Sequence, residues 1–199
     1  ETYEDILPCY YLGLLMNVVF SALPGIPFCI HEHFVGGVNV IYVFTGYCGY
    51  MALVFVFYSM LYLSISKDYK KISFFFMIGM ILTVLISLFF VKVIGWPVTY
   101  SMLLSITIGF WMIAALEFSV VRSYFRVNSG KYKEVLEYFR KYWQLVITNF
   151  LYILGLYVHN FVFWTTDLRM VVAKSFVSVT TYDMATCLAM FTNISASVI

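Results

Sequence analysis

Charged residues are scarce in this chain: only 11% of its 199 residues are Asp, Glu, Lys or Arg, whereas 63% are hydrophobic. A soluble domain of this length needs a larger charged surface to cover its core. The apolar residues also come in runs of about 20, the length that crosses a bilayer as a helix. The shortage of charge therefore excludes an ordinary soluble domain and predicts a membrane protein.

Motifs of the common enzyme classes are also missing. We find no Gly-rich phosphate loop, no Ser, His and Asp arrangement, and no carboxylate pair at a spacing that suits acid–base catalysis. His31, Glu32 and His33 lack the helical HExxH spacing and a further ligand nearby, so we interpret them as a solvated turn in an external loop. The sequence thus gives no support for an enzyme, a metal site or a cofactor. A net charge of +2 gives little support for nucleic-acid binding.

Cysteines are few and scattered, with no CxxC motif, which indicates buried free thiols rather than disulfides or metal ligands. They are Cys9, Cys29, Cys48 and Cys187. The chain has no initiating Met and no signal peptide, and it stops inside an apolar run. We therefore expect an interior segment of a longer protein.

Six apolar segments have the length of a membrane span. They cover about residues 6–30, 38–65, 72–94, 98–121, 143–165 and 172–199. Several of the connections are short, which predicts antiparallel neighbours. The predicted fold class is an all-α, polytopic membrane helix bundle with six transmembrane helices.

Basic residues are concentrated in two connections, after the second and the fourth predicted span. Nine of the 12 Lys and Arg residues lie there: Lys67, Lys70, Lys71, Arg122, Arg126, Lys131, Lys133, Arg140 and Lys141. Lys92, Arg169 and Lys174 lie on the other side. Because basic loops are retained in the cytoplasm, we expect both basic loops and both ends of the chain to be cytoplasmic.

The longer basic connection contains turn residues at 127–130, followed by the stretch "KYKEVLEYFRKYWQLV". Its apolar residues recur at helical spacing with charged residues between them. This pattern is typical of an amphipathic helix lying on the cytoplasmic membrane surface, or equally of a helical connector with a solvated charged face.

Polar residues inside the predicted spans are the best indicators of function, because they are costly in hydrocarbon. In the fifth span, Asn149 and Asn160 fall within about 20° of one another on a helical projection, with Tyr152 close to the same line and His159 at its flank. This polar stripe either lines a path or forms hydrogen bonds between helices that hold the bundle together.

Two acidic residues, Asp183 and Glu117, also lie inside the predicted spans. Asp183 lies beside Tyr182 in the sixth span and suits a cation-coupling carboxylate, a ligand for a basic sugar or a fixed structural acceptor. Glu117, near the cytoplasmic end of the fourth span, is expected to reach Arg122 or the interface.

Specific sequence patterns then suggest a family. The run "LYILGLYVHNFVFW" (Leu151–Trp164) resembles the aliphatic and aromatic run, ending in Phe-x-Phe-Trp, of the PelG family of the polysaccharide-exporter (MOP) superfamily. The following stretch "TYDMATCLAMFTNISASVI" resembles the next helix of that family, and "YLSISKDYKK" resembles one of its loops. Some members have an acid and a base where this chain has His159 and Asn160, which favours a neutral hydrogen-bonding role here.

This resemblance implies a membrane transporter of Pel exopolysaccharide with about twelve helices in two lobes. Residues 1–125 would supply the last four helices of the first lobe, 126–142 a cytoplasmic basic linker, and 143–199 the first two helices of the second lobe. The transporter would export polymer across the bacterial inner membrane for the biofilm matrix by alternating access. Its implied partner is the Pel synthase complex, including a cytoplasmic glycosyltransferase.

With this function, the substrate path is predicted to include Asn149, Tyr152, His159, Asn160, Trp164, Tyr182 and Asp183. Hydroxyls, rings, amides and an acid suit an amino-sugar polymer. The alternatives are another flippase or a cation-coupled transporter of the same superfamily, and a membrane scaffold for a glycosyltransferase complex.

Overall fold

The computed structural model describes residues 5–173 and 176–197, without the side chains of 172–173, 187 and 190–197. In chain order the elements are α1 (Ile6–Phe34), α2 (Val40–Ile65), α3 (Tyr69–Phe89) with a π-helical last turn (Phe90–Ile94), α4 (Val98–Tyr124), α5 (Tyr132–Lys141), α6 (Trp143–Trp164), β1 (Met170–Ala173), β2 (Phe176–Ser178) and α7 (Thr180–Ser197). Apart from the short antiparallel β1–β2 hairpin, the described part of the chain is helical, so the prediction of an all-α fold is confirmed.

Five helices in the described part of the chain are long and apolar enough to cross a membrane: α1, α2, α3 with its π turn, α4 and α6. The predicted sixth span, 172–199, is wrong in its first part. The β-branched and aromatic residues in this first part favour an extended chain, and they lie in the β1–β2 hairpin that precedes α7. Thr and Ser side chains recur along α7, which is not among the five.

The ends of the helices follow local chemistry. Asn39 caps α2 by accepting a hydrogen bond from the backbone N–H of Ile41, and Asp68 caps α3 by accepting one from that of Lys71. The turn after α3 needs Gly95, whose φ is 75°, and Trp96 then stacks on Phe90 with ring centroids 5.0 Å apart. These short turns make consecutive helices antiparallel neighbours.

The interpretation of His31, Glu32 and His33 as a solvated turn is wrong. Helix α1 continues through them and ends only before Gly37, whose φ is 67°. Glu32 is buried, and the Nδ1 atom of His33 lies 2.9 Å from the Val38 carbonyl oxygen. Among the described residues, no three His, Cys, Asp or Glu side chains are grouped so that they could hold a metal ion.

The cysteines with described side chains are Cys9, Cys29 and Cys48, and no disulfide joins them. Each is half-buried rather than buried, since each lies on a helix face that neighbours cover only in part. Cys187 lies outside the described side chains, so the prediction for it stays a prediction.

The chain divides into two compact units: Glu1–Phe34 with Val38–Glu137, and Val35–Gly37 with Tyr138–Ile199. In the first unit, α4 packs against both α2 and α3, and α1 packs against α2. One stripe of α4 is buried at every fourth position and is continued by Phe125 directly after the helix; its members in α4 are Ser101, Ser105, Gly109, Ile113, Glu117 and Val121. Small residues along such a stripe let membrane helices approach closely.

Two apolar clusters surround this stripe towards the end of α4. The Tyr10 cluster consists of Leu7, Tyr10, Leu63, Ile72, Val121 and Phe125. The Val56 cluster consists of Val56, Phe75, Ile113 and Ala114. Together they form the core of the first unit.

A polar contact joins the start of α3 to the end of α4, at the predicted cytoplasmic side. The Tyr124 hydroxyl donates to the Asp68 carboxylate, and the Lys71 ammonium lies 3.0 Å from that carboxylate. The Tyr124 hydrogen bond, more than the Lys71 interaction, lowers the pKa of Asp68 below its ordinary value of 3.8.

This contact predicts a pH-dependent contribution to stability. Because the pKa of Asp68 is lower in the folded state, the stabilisation is present above pH 3.8 and is lost as the pH falls through the lowered value. We expect Tyr124→Phe to lower the melting temperature at neutral pH and to have little effect once Asp68 is protonated. Thermal unfolding in detergent at the two pH values checks this, with the exposed Tyr69→Phe as the control. An equal effect of Tyr124→Phe at both pH values would contradict it.

Candidate functional site

The residues of the predicted polar stripe on α6 differ in how far they are buried. Asn149 and Tyr152 are exposed, Tyr152 to 68%, and so is the whole helix as far as Val158. His159 and Asn160 are half-buried. The stripe is aligned in angle, but its two asparagines lie about 16 Å apart along the helix axis. The structure therefore does not bring Asn149 and Tyr152 together with the other predicted residues.

The β1–β2 hairpin returns the chain from the end of α6 to the start of α7. Met170 pairs with Ser178 and Val171 pairs with Val177. Because α7 begins two residues after β2, its first turn comes back to the last turns of α6. This connection builds what we call the α6–α7 cluster, which consists of His159, Phe163, Trp164, Tyr182 and Asp183.

Aromatic rings form the apolar side of the α6–α7 cluster. Tyr182 stacks on Phe163, with ring centroids 3.8 Å apart and an interplanar angle of 27°. The His159 ring meets Tyr182 edge-on at a centroid distance of 5.6 Å. Phe161, one turn before Trp164, meets the indole at 5.3 Å, also edge-on. These contacts fix the orientation of Tyr182 and of the indole.

Asp183 is the polar centre of the α6–α7 cluster. Its Oδ2 atom accepts hydrogen bonds from the Ser178 hydroxyl at 2.8 Å and from the Val179 backbone N–H at 2.9 Å. The Trp164 indole N–H donates to Oδ1 at 3.2 Å. An acid in the first turn of a helix also interacts favourably with the helix dipole. Asp183 thus holds the start of α7 and the end of α6 together.

The α6–α7 cluster has hydrogen-bonding groups and ring faces with which a ligand can interact. A carboxylate has about four acceptor sites, and the three donors leave Oδ1 able to accept from an amine or a hydroxyl. The ring faces beside it offer apolar surface for the C–H faces of a sugar. In addition, the half-buried Asn160 has an Oδ1 atom that finds no hydrogen-bond partner among the described residues. No covalent chemistry is indicated by these groups.

Of the seven predicted path residues, the structure brings His159, Trp164, Tyr182 and Asp183 into one cluster. Three participants were not predicted: Phe163, the Ser178 hydroxyl and the Val179 N–H. Phe163 belongs to the Phe-x-Phe-Trp run and could have been found there. The Ser178 and Val179 contacts depend on the hairpin, which the prediction of one continuous span over residues 172–199 did not include.

The position of Glu117 in the structure differs from the predicted position. It was expected to reach Arg122 or the interface, but its side chain is fully buried and neither carboxylate oxygen has a hydrogen-bond partner among the described residues. Arg122 is exposed. The reason is rotation: Glu117 lies on the buried stripe of α4, whereas Arg122, five residues later, lies on another face.

Five helices in the described part of the chain that are long and apolar enough to cross a membrane define a multi-pass helical membrane protein, and a polar aromatic cluster lies at the end of one of them. The family model described as "PelG: Putative exopolysaccharide Exporter (EPS-E)" matches residues 1–199. The chain therefore belongs to the PelG family, a family described as exporters and not as enzymes, and the predicted resemblance is confirmed. No curated protein and no solved structure matches the chain.

Proposed function

We propose that this chain is part of an integral membrane transporter that exports a Pel-type exopolysaccharide across the bacterial cytoplasmic membrane for the biofilm matrix. The observation that carries the proposal is the family match over residues 1–199, to which the five membrane-length helices add support. The complete transporter has about twelve helices in two lobes and works by alternating access. Residues 126–142 are its cytoplasmic linker between the lobes.

The α6–α7 cluster is the part of the path that the chain's chemistry supports best. A Pel-type polymer carries amines and hydroxyls, which are hydrogen-bond donors for the remaining acceptor site of Asp183. The faces of its sugar rings are apolar and fit beside Tyr182 and Trp164. Asn149 and Tyr152 extend the path along α6 towards the cytoplasmic linker.

The amphipathic α5 is consistent with a location at the cytoplasmic membrane surface. Only Val135 is buried, while Leu136 and Phe139 are exposed together with the charged side chains. Such a helix can lie in the headgroup region with its apolar side towards the lipid. In that position it adjoins the cytoplasmic glycosyltransferase of the Pel synthase complex, the partner that we propose.

Asn160 provides a test of the path. Replacing it with leucine in the complete protein removes the unpartnered amide and keeps the same number of side-chain heavy atoms, so export of polymer is expected to fall several-fold at unchanged protein level. Secreted polymer per cell is the measurement. Asn149→Leu is the matched variant on the same helix, and export that falls for both shows a path along α6.

Two outcomes would contradict this proposal. If Asn160→Leu and Asp183→Asn both leave export intact at normal protein levels, the α6–α7 cluster is not part of a substrate path. If all cluster variants are silent but charge changes in α5 abolish polymer synthesis, the chain is a scaffold for the glycosyltransferase.

A further inference from the structure

Glu117 is a fully buried acidic residue of the first unit. It lies on the membrane-spanning α4, it is 0% exposed, and neither of its oxygens has a hydrogen-bond partner among the described residues. It is seven residues from the end of α4 at Tyr124, which places it roughly 10 Å from the predicted cytoplasmic end of the helix. A carboxyl group in such a place is a functional-site hypothesis by default.

The surroundings of Glu117 follow from its position in the α4 stripe. Four residues before it, Ile113 belongs to the Val56 cluster, and four residues after it, Val121 belongs to the Tyr10 cluster. Glu117 therefore lies between the two apolar clusters, where α1, α2, α3 and α4 meet. From α3, the side chains in these clusters are Ile72 and Phe75, and neither can titrate.

Among the described residues, a titratable group that interacts electrostatically with Glu117 is a phenol. From α1, Tyr10 lies within electrostatic range of Glu117, but its hydroxyl is bonded to Ser59 at 2.7 Å. From α2, Tyr58 and Tyr62 contact the Tyr10 ring, and their own hydroxyls are bonded to each other at 2.9 Å.

The cations of this end of the bundle are occupied or face elsewhere. On α4 itself, Arg122 is exposed. The Lys71 ammonium of α3 is bound to Asp68 and Tyr124. No cation among the described residues therefore pairs with Glu117. Because an ionised carboxylate that is buried without partners is far too costly, the carboxyl group is neutral in this arrangement of the helices.

We propose that Glu117 is a proton-binding site that couples the conformation of the first unit to a proton gradient. In the closed arrangement seen here, one carboxyl oxygen carries a proton taken from water. When α1, α2 and α4 separate, water reaches Glu117, the proton returns to water and the carboxylate is ionised. One proton is bound and released in each cycle and no other group is consumed. The coupling to export rests on the proposed function.

Infrared difference spectroscopy of the complete protein in lipid tests the binding step. Wild-type protein is expected to show a protonated-carboxyl C=O band that is lost as the pH rises, and Glu117→Gln, a neutral and nearly isosteric variant, is expected to lack it. Asp167→Asn, at an exposed position between α6 and β1, is the control and should keep the band. A full wild-type band change in Glu117→Gln would overturn the proposal, as would loss of the wild-type band on addition of Na⁺ at constant pH.

If the Glu117→Gln protein does not accumulate in cells, Glu117→Asp is measured in its place. The shorter acid should retain the band with a shifted pH midpoint, and an unchanged midpoint would overturn the proposal. The second measurement is polymer export with and without a protonophore. Wild type and Asp167→Asn should lose export when the proton gradient is collapsed, whereas Glu117→Gln should no longer respond to it.

A protonophore response of Glu117→Gln equal to that of wild type would overturn the coupling. The two proposals can fail separately. If no form of the protein, wild type included, exports polymer while the band behaves as expected, the exporter function fails and the proton site stands.

Discussion

Replacing Gly109 with alanine is expected to destabilise the first unit by about 1–3 kcal/mol, the usual range for overpacking. A Cβ atom at this position would lie 2.0 Å from the Thr83 hydroxyl oxygen and 3.1 Å from the Gly79 carbonyl oxygen. The carbonyl belongs to the backbone of α3, so the strain cannot be relieved by turning a side chain alone. The two helices must move apart along the α4 stripe.

Gly46→Ala is the matched control for Gly109→Ala. It is also a mid-helix glycine, but an added Cβ meets no atom within 4 Å. We expect this substitution to be neutral or to stabilise by up to about 1 kcal/mol through helix propensity. Melting temperatures of the detergent-solubilised proteins give the comparison, and equal effects of the two substitutions would contradict the close packing of α3 against α4.

A double variant locates the clash. Thr83→Ala removes the hydroxyl that lies closest to the added Cβ, although it also removes the hydrogen bond from that hydroxyl to the Gly79 carbonyl. Combined with Gly109→Ala, it is expected to recover part of the lost stability, so that the two effects are not additive. Strict additivity would mean that the alanine at position 109 acts elsewhere.

Asp183→Asn is expected to reduce polymer export to a small fraction of the wild-type level. An amide keeps only one acceptor oxygen, and Oδ2 already serves the Ser178 hydroxyl and the Val179 N–H. The amide oxygen therefore takes the Oδ2 position, and the NH₂ group faces the Trp164 indole N–H, so that two donors oppose each other. The substitution spares the start of α7, releases Trp164 and removes the charge proposed to attract an amino sugar.

Asp167→Asn is the control for Asp183→Asn, because it makes the same change at an exposed position, in the connection between α6 and β1. Trp164→Phe completes the comparison, since it removes the indole donor and keeps a ring. If the Trp164–Asp183 contact matters for export, the double variant should be no worse than Asp183→Asn alone. Normal export by Asp183→Asn at normal protein level would contradict the role of the carboxylate.

The sequence predicted the helices well where one physical signal dominated. Long apolar runs specified α1 to α4 and α6, because each must provide all its own backbone hydrogen bonds in hydrocarbon. The prediction was wrong at 172–173 and 176–178, because a few apolar residues in a short stretch do not show by their pattern whether they belong to a strand or to a helix. At 31–33, polar residues suggested a loop, but α1 continues to Phe34, and the chain turns at Gly37, which adopts a positive φ.

The sequence predicted only part of the candidate site. It shows which residues share a face of one helix, but it does not show which residues of different helices are in contact. His159, Trp164, Tyr182 and Asp183 lie together since a hairpin folds one helix end onto the next. Asn149 lies on the same face of α6 as Asn160, but about 16 Å away along the helix axis. Glu117 was misplaced for a related reason: its burial requires neighbours on α1, α2 and α3 together, and no local pattern shows three partners at once.

Polymer secretion by cells that lack this protein tests the central claim most directly. Deleting the gene and restoring it on a plasmid, with polymer measured separately inside and outside the cells, isolates the transport step. Secreted polymer is expected to disappear on deletion, while the rest of the synthesis machinery remains present, and to return with the wild-type gene. Secretion that continues unchanged in the deletion strain would contradict it.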